Sequence, residues 1–246
     1  MALKAAPESQ ALLLELQALD TKLNQLGHRA STLPELITIA DLTTERDALR
    51  GTVGVQSGAW EDAQLELKRT EADVAVVEAR VTRDKQRLQA TSSQKDVAAL
   101  EQELAALAKR QNDLEDIELA VMETVDERAS SLAGSRAELE SLDARIAQAA
   151  ASRDEAIAEL DIERQRATAS RNEIAGRIPG DLLALYEKQR ARYGVGASLL
   201  RGGVSSASGV TLNSSDMVTV RAAAPDDVLL CPDSSAILVR TNESGL

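Results

Sequence analysis

A mainly α-helical fold is predicted: a long antiparallel two-helix coiled-coil hairpin with a small β-rich domain at its C-terminus. Three features carry that prediction. Leucines recur at Leu12, Leu16, Leu19, Leu23 and Leu26, alternately four and three apart, and similar spacing returns in two later stretches. That period keeps one stripe of a helix facing a partner helix. Large aromatic side chains are scarce, with no Phe, one Trp (Trp60) and two Tyr (Tyr186, Tyr193) in 246 residues. A thick globular core draws on such side chains, whereas a two-helix seam is filled by Leu, Ile, Val and Ala. Beyond residue 176 the charged helical sequence gives way to Gly/Ser runs and short β-prone strings.

The hairpin is assigned to residues 8–176. Its first arm is interrupted at residues 31–34, because Pro34 lacks the amide proton of a helix interior and biases Leu33 away from helical torsions. Helix resumes at once with Pro34 in its first turn. Gly51, Gly54 and Gly58 each cost about 1 kcal/mol of helix propensity relative to alanine, so weak or bent helix is expected there, close to Trp60. Close approach of the partner helix is one reading of these glycines, and a recognition kink is the other. The seam returns at Leu67, Val74, Val77, Val81 and Leu88.

Residues 91–95, Thr-Ser-Ser-Gln-Lys, form the polar break between two long periodic segments and are placed at the hairpin tip. Ser93 is placed as the N-cap of the returning helix, with Asp96 near its positive end. The returning stripe runs through Val97, Leu100, Leu104, Leu107, Leu114, Val121, Val125, Leu132, Leu139, Leu142, Ile146 and Leu160, with Gln111, Ser135, Ala149 and Arg153 at intervening seam positions. A tip near residue 92 makes the arms equal in length and sets Pro34 opposite Ala149, Ala150 and Ala151. Dimerisation of two chains through the same stripe is the structural rival.

Residues 177–200 are assigned to a short helix and linker. Pro179-Gly180 stops the long helix, Asp181 is placed as the cap of the next, and Leu182, Leu185 and Tyr186 share a face expected to pack at the hairpin root. Residues 201–246 are expected to form a small antiparallel β unit from Val218–Arg221, Val228–Leu230 and Ala236–Thr241.

The formal net charge is -12, with 25 Lys and Arg against 35 Asp and Glu up to residue 200, and 3 against 5 after it. Such a surface has no broad attraction for phosphate backbones or anionic lipid. No apolar run is long enough to span a bilayer. The N-terminal stretch lacks an apolar signal core, and the single cysteine, Cys231, suits a reducing compartment. A cytoplasmic location is expected.

Over the helix Leu182–Arg190, the segment Val220-Arg221-Ala222-Ala223-Ala224-Pro225-Asp226-Asp227-Val228, and the stretch from Cys231 to Leu246, the chain resembles bacterial C4-type zinc-ribbon proteins with an N-terminal coiled-coil hairpin, in particular the actinobacterial branch. In that family two Cys-x-x-Cys pairs hold one structural zinc, a ligand set that suits a closed tetrahedral site. The resemblance puts those positions at Ser205, Ser208, Cys231 and Ser234, so three of the four cysteine ligands are absent. A serine hydroxyl stays protonated near neutrality, and no metal is expected as the sequence stands. The 201–246 domain is therefore read as a degenerate zinc ribbon.

The resemblance implies an adaptor or chaperone-like role; relatives are linked to transcription-factor binding, to flagellar or secretion-related regulation, and some to RNA. The residues themselves point away from an enzyme. The only histidine, His28, lies far in sequence from Cys231, and no phosphate-binding glycine loop is present. A non-enzymatic protein-interaction module with a protein partner is the leading expectation. Tyr186, Arg190, Arg221, Asp226 and Asp227 are its candidate contact residues, and the break at Pro34 and the tip at Ser93 are its structural landmarks. The alternatives are nucleic-acid binding through the C-terminal ribbon and a purely structural coiled coil. The first is weakened by a tail with three arginines, a net negative balance and no aromatic side chain for stacking bases.

Overall fold

The structure, a computed structural model, describes residues 3–246, and these described residues form five helices and four short strands. It divides into two compact units. One holds residues 35–151, and the other holds the N-terminal residues up to Pro34 together with residues 152–246.

The 35–151 unit is a helical pair built from α2 (Pro34–Ala90) and the first part of α3 (Gln94–Arg177), which continues through both units. In α2 the buried and half-buried positions include Leu42, Leu49, Val53, Gln56, Trp60, Ala63, Leu67, Thr70, Val74, Val77, Val81, Asp84 and Leu88, the alternating spacing of a coiled-coil seam. On α3 the predicted stripe is the inward one: Leu100, Leu114, Val121, Leu132, Leu142 and, further along, Leu160 are buried, and the other stripe positions are half-buried. The antiparallel register is tied by an Arg80–Glu103 ion pair, by Gln56 donating to Ser131 Oγ at 3.1 Å, and by Arg128 donating to the Ala59 carbonyl at 2.6 Å. Each partner lies within a few residues of the one expected from a tip near residue 92.

The turn occupies residues 91–93. Ser93 Oγ accepts from the Asp96 amide at 3.4 Å, a capping contact at the first turn of α3. Pro34 is the first residue of α2, where its missing amide proton costs no intrahelical bond.

The glycines do not serve the close-approach reading of the sequence. Helix α2 runs unbroken through Gly51, Gly54 and Gly58, and a Cβ on any of them would meet nothing within 4 Å. They lie on the exposed face, so they mark no close approach of the partner helix. Val53 and Trp60 pack in the seam on either side of them, and that packing outweighs the propensity cost.

In the second unit, α1 (Pro7–Ser31), the last part of α3 and α4 (Gly180–Tyr193) pack with the C-terminal domain. That domain contains β1 (Ala197–Arg201), β2 (Val204–Ser205), α5 (Ser214–Ala222), β3 (Leu229–Leu230) and β4 (Ile237–Val239). The sheet order is β2-β1-β4-β3. It is mixed, because β1 and β4 run parallel with Ala197 beside Ile237, while the outer pairs are antiparallel.

Strand β4 organises two small cores by its period of two. Ile237 and Val239 join Ala5, Leu13, Leu16, Ile178, Leu182, Tyr186 and Ala197. Leu238 joins Leu200, Leu212, Val220 and Cys231. Burying a leucine such as Leu13, Leu16 or Leu182 contributes about 1.5–3 kcal/mol each.

The expected antiparallel sheet is thus mixed instead, and three further expectations for this region are corrected. Residues 218–221 lie in helix α5, started by Asn213 accepting from the Asp216 amide at 2.8 Å, so local capping overrides their β propensity. Residues 197–200, assigned to the linker, lie in strand β1. Asp181 lies in the first turn of α4 rather than at its cap, and makes no capping bond. Among the described residues no helix is long and apolar enough to cross a membrane.

Candidate functional site

The side chains that the sequence nominates fall into three clusters, all in the second unit. At the root of the hairpin, Asp20 of α1 is 2% exposed. Its carboxylate accepts from Arg171 Nε of α3 at 2.7 Å and from the Tyr186 hydroxyl of α4 at 2.7 Å, and Arg190 stands 3.4 Å away. Glu187 pairs with both arginines, to Arg171 and at 2.8 Å to Arg190. The Asp20 hydrogen bond raises the Arg171 pKa. Burial, reinforced by the same carboxylate, raises that of Tyr186. Burial pushes Glu187 up, but its bonds to Arg171 and Arg190 outweigh that and hold it below the ordinary carboxylate value. Gln17 completes the cluster by accepting from the amides of Gly196, at 2.7 Å, and Ala197, at 3.3 Å. These are structural ties between α1, α3, α4 and β1. Tyr186, nominated as a contact residue, is fully buried and offers a partner no surface; Arg190 is largely engaged within the same cluster.

The second cluster shapes residues 220–228. Arg240 donates to five backbone carbonyls, of Val220, Ala223, Ala224, Pro225 and Asp227, at 2.7–3.4 Å. Asp227 accepts from the Ala224 amide at 2.8 Å. The N-terminal residues lie along this loop: Ala5 N–H donates to the Asp226 carbonyl at 2.8 Å, and Val228 N–H to the Leu3 carbonyl at 3.0 Å. Lys4 pairs with Asp226 at 3.1 Å and Asp227 at 3.4 Å. Its hydrogen bond to Asp226 raises the Lys4 pKa and lowers that of Asp226. Both nominated aspartates therefore have an internal partner. Arg221 sits exposed in the last turn of α5.

The third cluster holds the four positions that the zinc-ribbon resemblance singles out, which lie on two turns with one hydrogen-bond pattern. In the first, Gly209 N–H donates to the Ser205 carbonyl at 2.8 Å and Ser205 N–H to the Val210 carbonyl at 3.2 Å. In the second, Ser235 N–H donates to the Cys231 carbonyl at 2.9 Å and Cys231 N–H to the Ala236 carbonyl at 2.8 Å. Ser208 Oγ accepts from the Val210 amide at 3.2 Å, and Ser234 Oγ from the Ala236 amide at 3.4 Å. Gly209 and Ser235 both take positive φ, +68° and +57°, a conformation easy for glycine and uncommon for serine.

Cys231 is 1% exposed. Burial pushes its thiol pKa up, yet hydrogen bonds from the Ser205 and Ser234 hydroxyls and from the Ser234 and Asp233 amides bring it below the ordinary value. Ser205 Oγ also meets Ser198 Oγ at 2.7 Å. The structure thus brings Ser205, Cys231 and Ser234 together, and Ser208 holds in the first turn the place Ser234 holds in the second. Four thiolates would suit zinc, but one thiol and three hydroxyls do not fit it. Among the described residues no group of three or more His, Cys, Asp and Glu is placed to hold a metal.

Sequence reasoning passed over Lys4, Gln10, Gln17, Asp20, Arg171, Ser198 and Arg240. Gln10, Gln17 and Asp20 carried a usable signal, since they interrupt the apolar face of α1 at helical spacing beside Leu13 and Leu16. In the 35–151 unit, a shallow groove is lined by Trp60, Ala129, Leu132, Ala133 and Ala137, with Arg136 and Glu140 at its rim. The Trp60 indole N–H has no hydrogen-bond acceptor.

Residues 16–194 match a family described as the CT398-like coiled coil hairpin domain. An uncharacterized protein of Mycobacterium tuberculosis strain H37Rv, Rv2229c, is 35% identical over 240 residues, which cover 97% of this chain and 98% of that one. A solved structure from Mycobacterium smegmatis superimposes with a TM-score of 0.87 at 32% identity, covering 97% of this chain and 100% of that one. CT398 of Chlamydia trachomatis has a TM-score of 0.67 at 18% identity over 95% of this chain and 98% of its own, a likeness of fold.

Proposed function

This chain belongs to the CT398-like coiled-coil hairpin family, and from that premise we propose that it is a non-enzymatic protein-interaction module of adaptor or chaperone type, docking its partner on the α2–α3 pair of the 35–151 unit. One observation carries the reading: the helical pair is a single seam thick and leaves the groove of Trp60, Ala129, Leu132, Ala133 and Ala137 open to solvent. A helix pair lays an amphipathic partner helix into such a groove through spaced apolar anchors. Leu65, Ile117, Leu119 and Met122, 45–60% exposed, add apolar surface to the same unit.

Of the nominated tail residues, Asp226 and Asp227 pair with Lys4, while Arg221 is exposed. Arg240 is consumed by backbone carbonyls, and Arg201 pairs with Glu243 at 3.2 Å, leaving little positive surface for nucleic acid. The C-terminal domain reads as a zinc-ribbon-like scaffold that has lost its ligands and caps the hairpin root. The reading places the protein in the cytoplasm.

The test is photo-cross-linking in cells with a benzophenone amino acid at position 137, with and without Ala133→Glu, which puts a charge into the groove. A discrete protein adduct that Ala133→Glu abolishes, with helical circular dichroism and melting unchanged, is the expected result. Adducts to nucleic acid would move the function to the alternative class, and adducts only to a second copy would leave a self-associating structural coiled coil.

A further inference from the structure

The turns at residues 205–210 and 231–236 are built alike, bond for bond, although the residues on them differ. In each, the amide four residues on donates to the first carbonyl, the first amide donates to the carbonyl five residues on, and the side-chain oxygen at the fourth place accepts from the amide two further on. The residue after that fourth place takes positive φ in both, even where it is a serine, Ser235. A serine in that conformation is held by its surroundings.

The two turns border one core, in which the fully buried Cys231 of the second packs with Leu200 and Leu212, on either side of the first in sequence, and with Leu238. Ser205 is fully buried and extends the chain of hydroxyls to Ser198, also fully buried, on β1. Small domains of this size cross-link themselves with a metal or a disulfide, and the donor set here fits no tetrathiolate metal.

We propose that the paired turns are a metal-free clamp, in which buried hydroxyls and one buried thiol hold the domain together, while the backbone keeps the geometry of a four-thiolate site. Two consequences are separable. The clamp works without metal, so a chelator leaves melting of the full chain unchanged, while Ser205→Ala, which removes the buried bond to Ser198, lowers its melting temperature by about 2–4 °C. The geometry persists, so the full chain carrying S205C, S208C and S234C together, kept reduced, binds one Co(II) per chain with the visible absorption of a tetrahedral thiolate complex, releasing the thiol protons to buffer.

Loss of melting stability on chelation, or no effect of Ser205→Ala, would overturn the clamp. A triple variant that is folded by circular dichroism yet takes up no stoichiometric Co(II) would overturn the retained geometry. Should the triple variant be unfolded without metal, refolding on one equivalent of Co(II) supports the proposal, and failure to refold counts against it.

Discussion

Asp20 is almost wholly buried, and its charge is met by Arg171, Arg190 and the Tyr186 hydroxyl. Removing Asp20 leaves the largely buried Arg171 guanidinium and the buried Tyr186 hydroxyl short of their shared acceptor. Asp20→Ala is therefore expected to cost about 3–5 kcal/mol, against about 1–3 kcal/mol for Tyr186→Phe, which loses one hydrogen bond. Urea unfolding of both variants checks the order, and equal costs would show that Arg171 finds another acceptor. Cys231 gives a pH dependence. Its folded-state pKa lies below the ordinary thiol value of 9.0, so the unfolded chain holds the proton more tightly. The stability this adds is complete above about pH 9 and is lost as pH falls through the folded value. Melting temperature followed across that window should rise with pH in the native chain relative to Cys231→Ser; parallel curves for the two would refute it. Of these residues the sequence nominated Tyr186 and Cys231 and missed Asp20, because a carboxylate at a seam position looks like any exposed helix carboxylate until its partners, more than a hundred residues away, are in place.

At the scale of elements, α2 shows packing overruling propensity. The unfavourable glycines stand on the exposed face, and the seam positions around them carry the helix. Gly51→Ala, Gly54→Ala and Gly58→Ala meet open space, so each is expected to stabilise the hairpin by about 0.5–1 kcal/mol. Thermal unfolding of the triple variant reads the sum, and a lower melting temperature would mean that the face packs against something. The helices were legible because each seam residue repeats the same instruction every three or four positions. Helix α5 was not, since its four residues Val218–Arg221 suit a strand as well as a helix and only the Asn213 cap decides between them.

For the molecule as a whole, the chain's beginning is part of its end: Leu3, Lys4 and Ala5 lie along the Asp226–Val228 backbone, and Ala5 is buried in the core with Tyr186 and Ile237. Removing residues 1–6 is expected to speed amide exchange at residues 224–228 by about ten- to a hundredfold, at about 1 kcal/mol for each of two lost backbone bonds, while α2 exchange stays as it was. Unchanged protection at Val228 would show that the N-terminal residues are ornamental to the domain. By itself the sequence determined the helical hairpin, the place of its tip, the facing stripes and the single cysteine, because periodicity and residue identity are local properties repeated along the chain. Only the tertiary structure decided that β1 runs parallel to β4, that Arg240 gathers five carbonyls, that Asp20 is the buried centre of the root, and that two turns far apart in sequence share one hydrogen-bond pattern. Strands of two to five residues carry no periodic signal, and their partners are chosen by the burial and hydrogen bonding of the assembled domain.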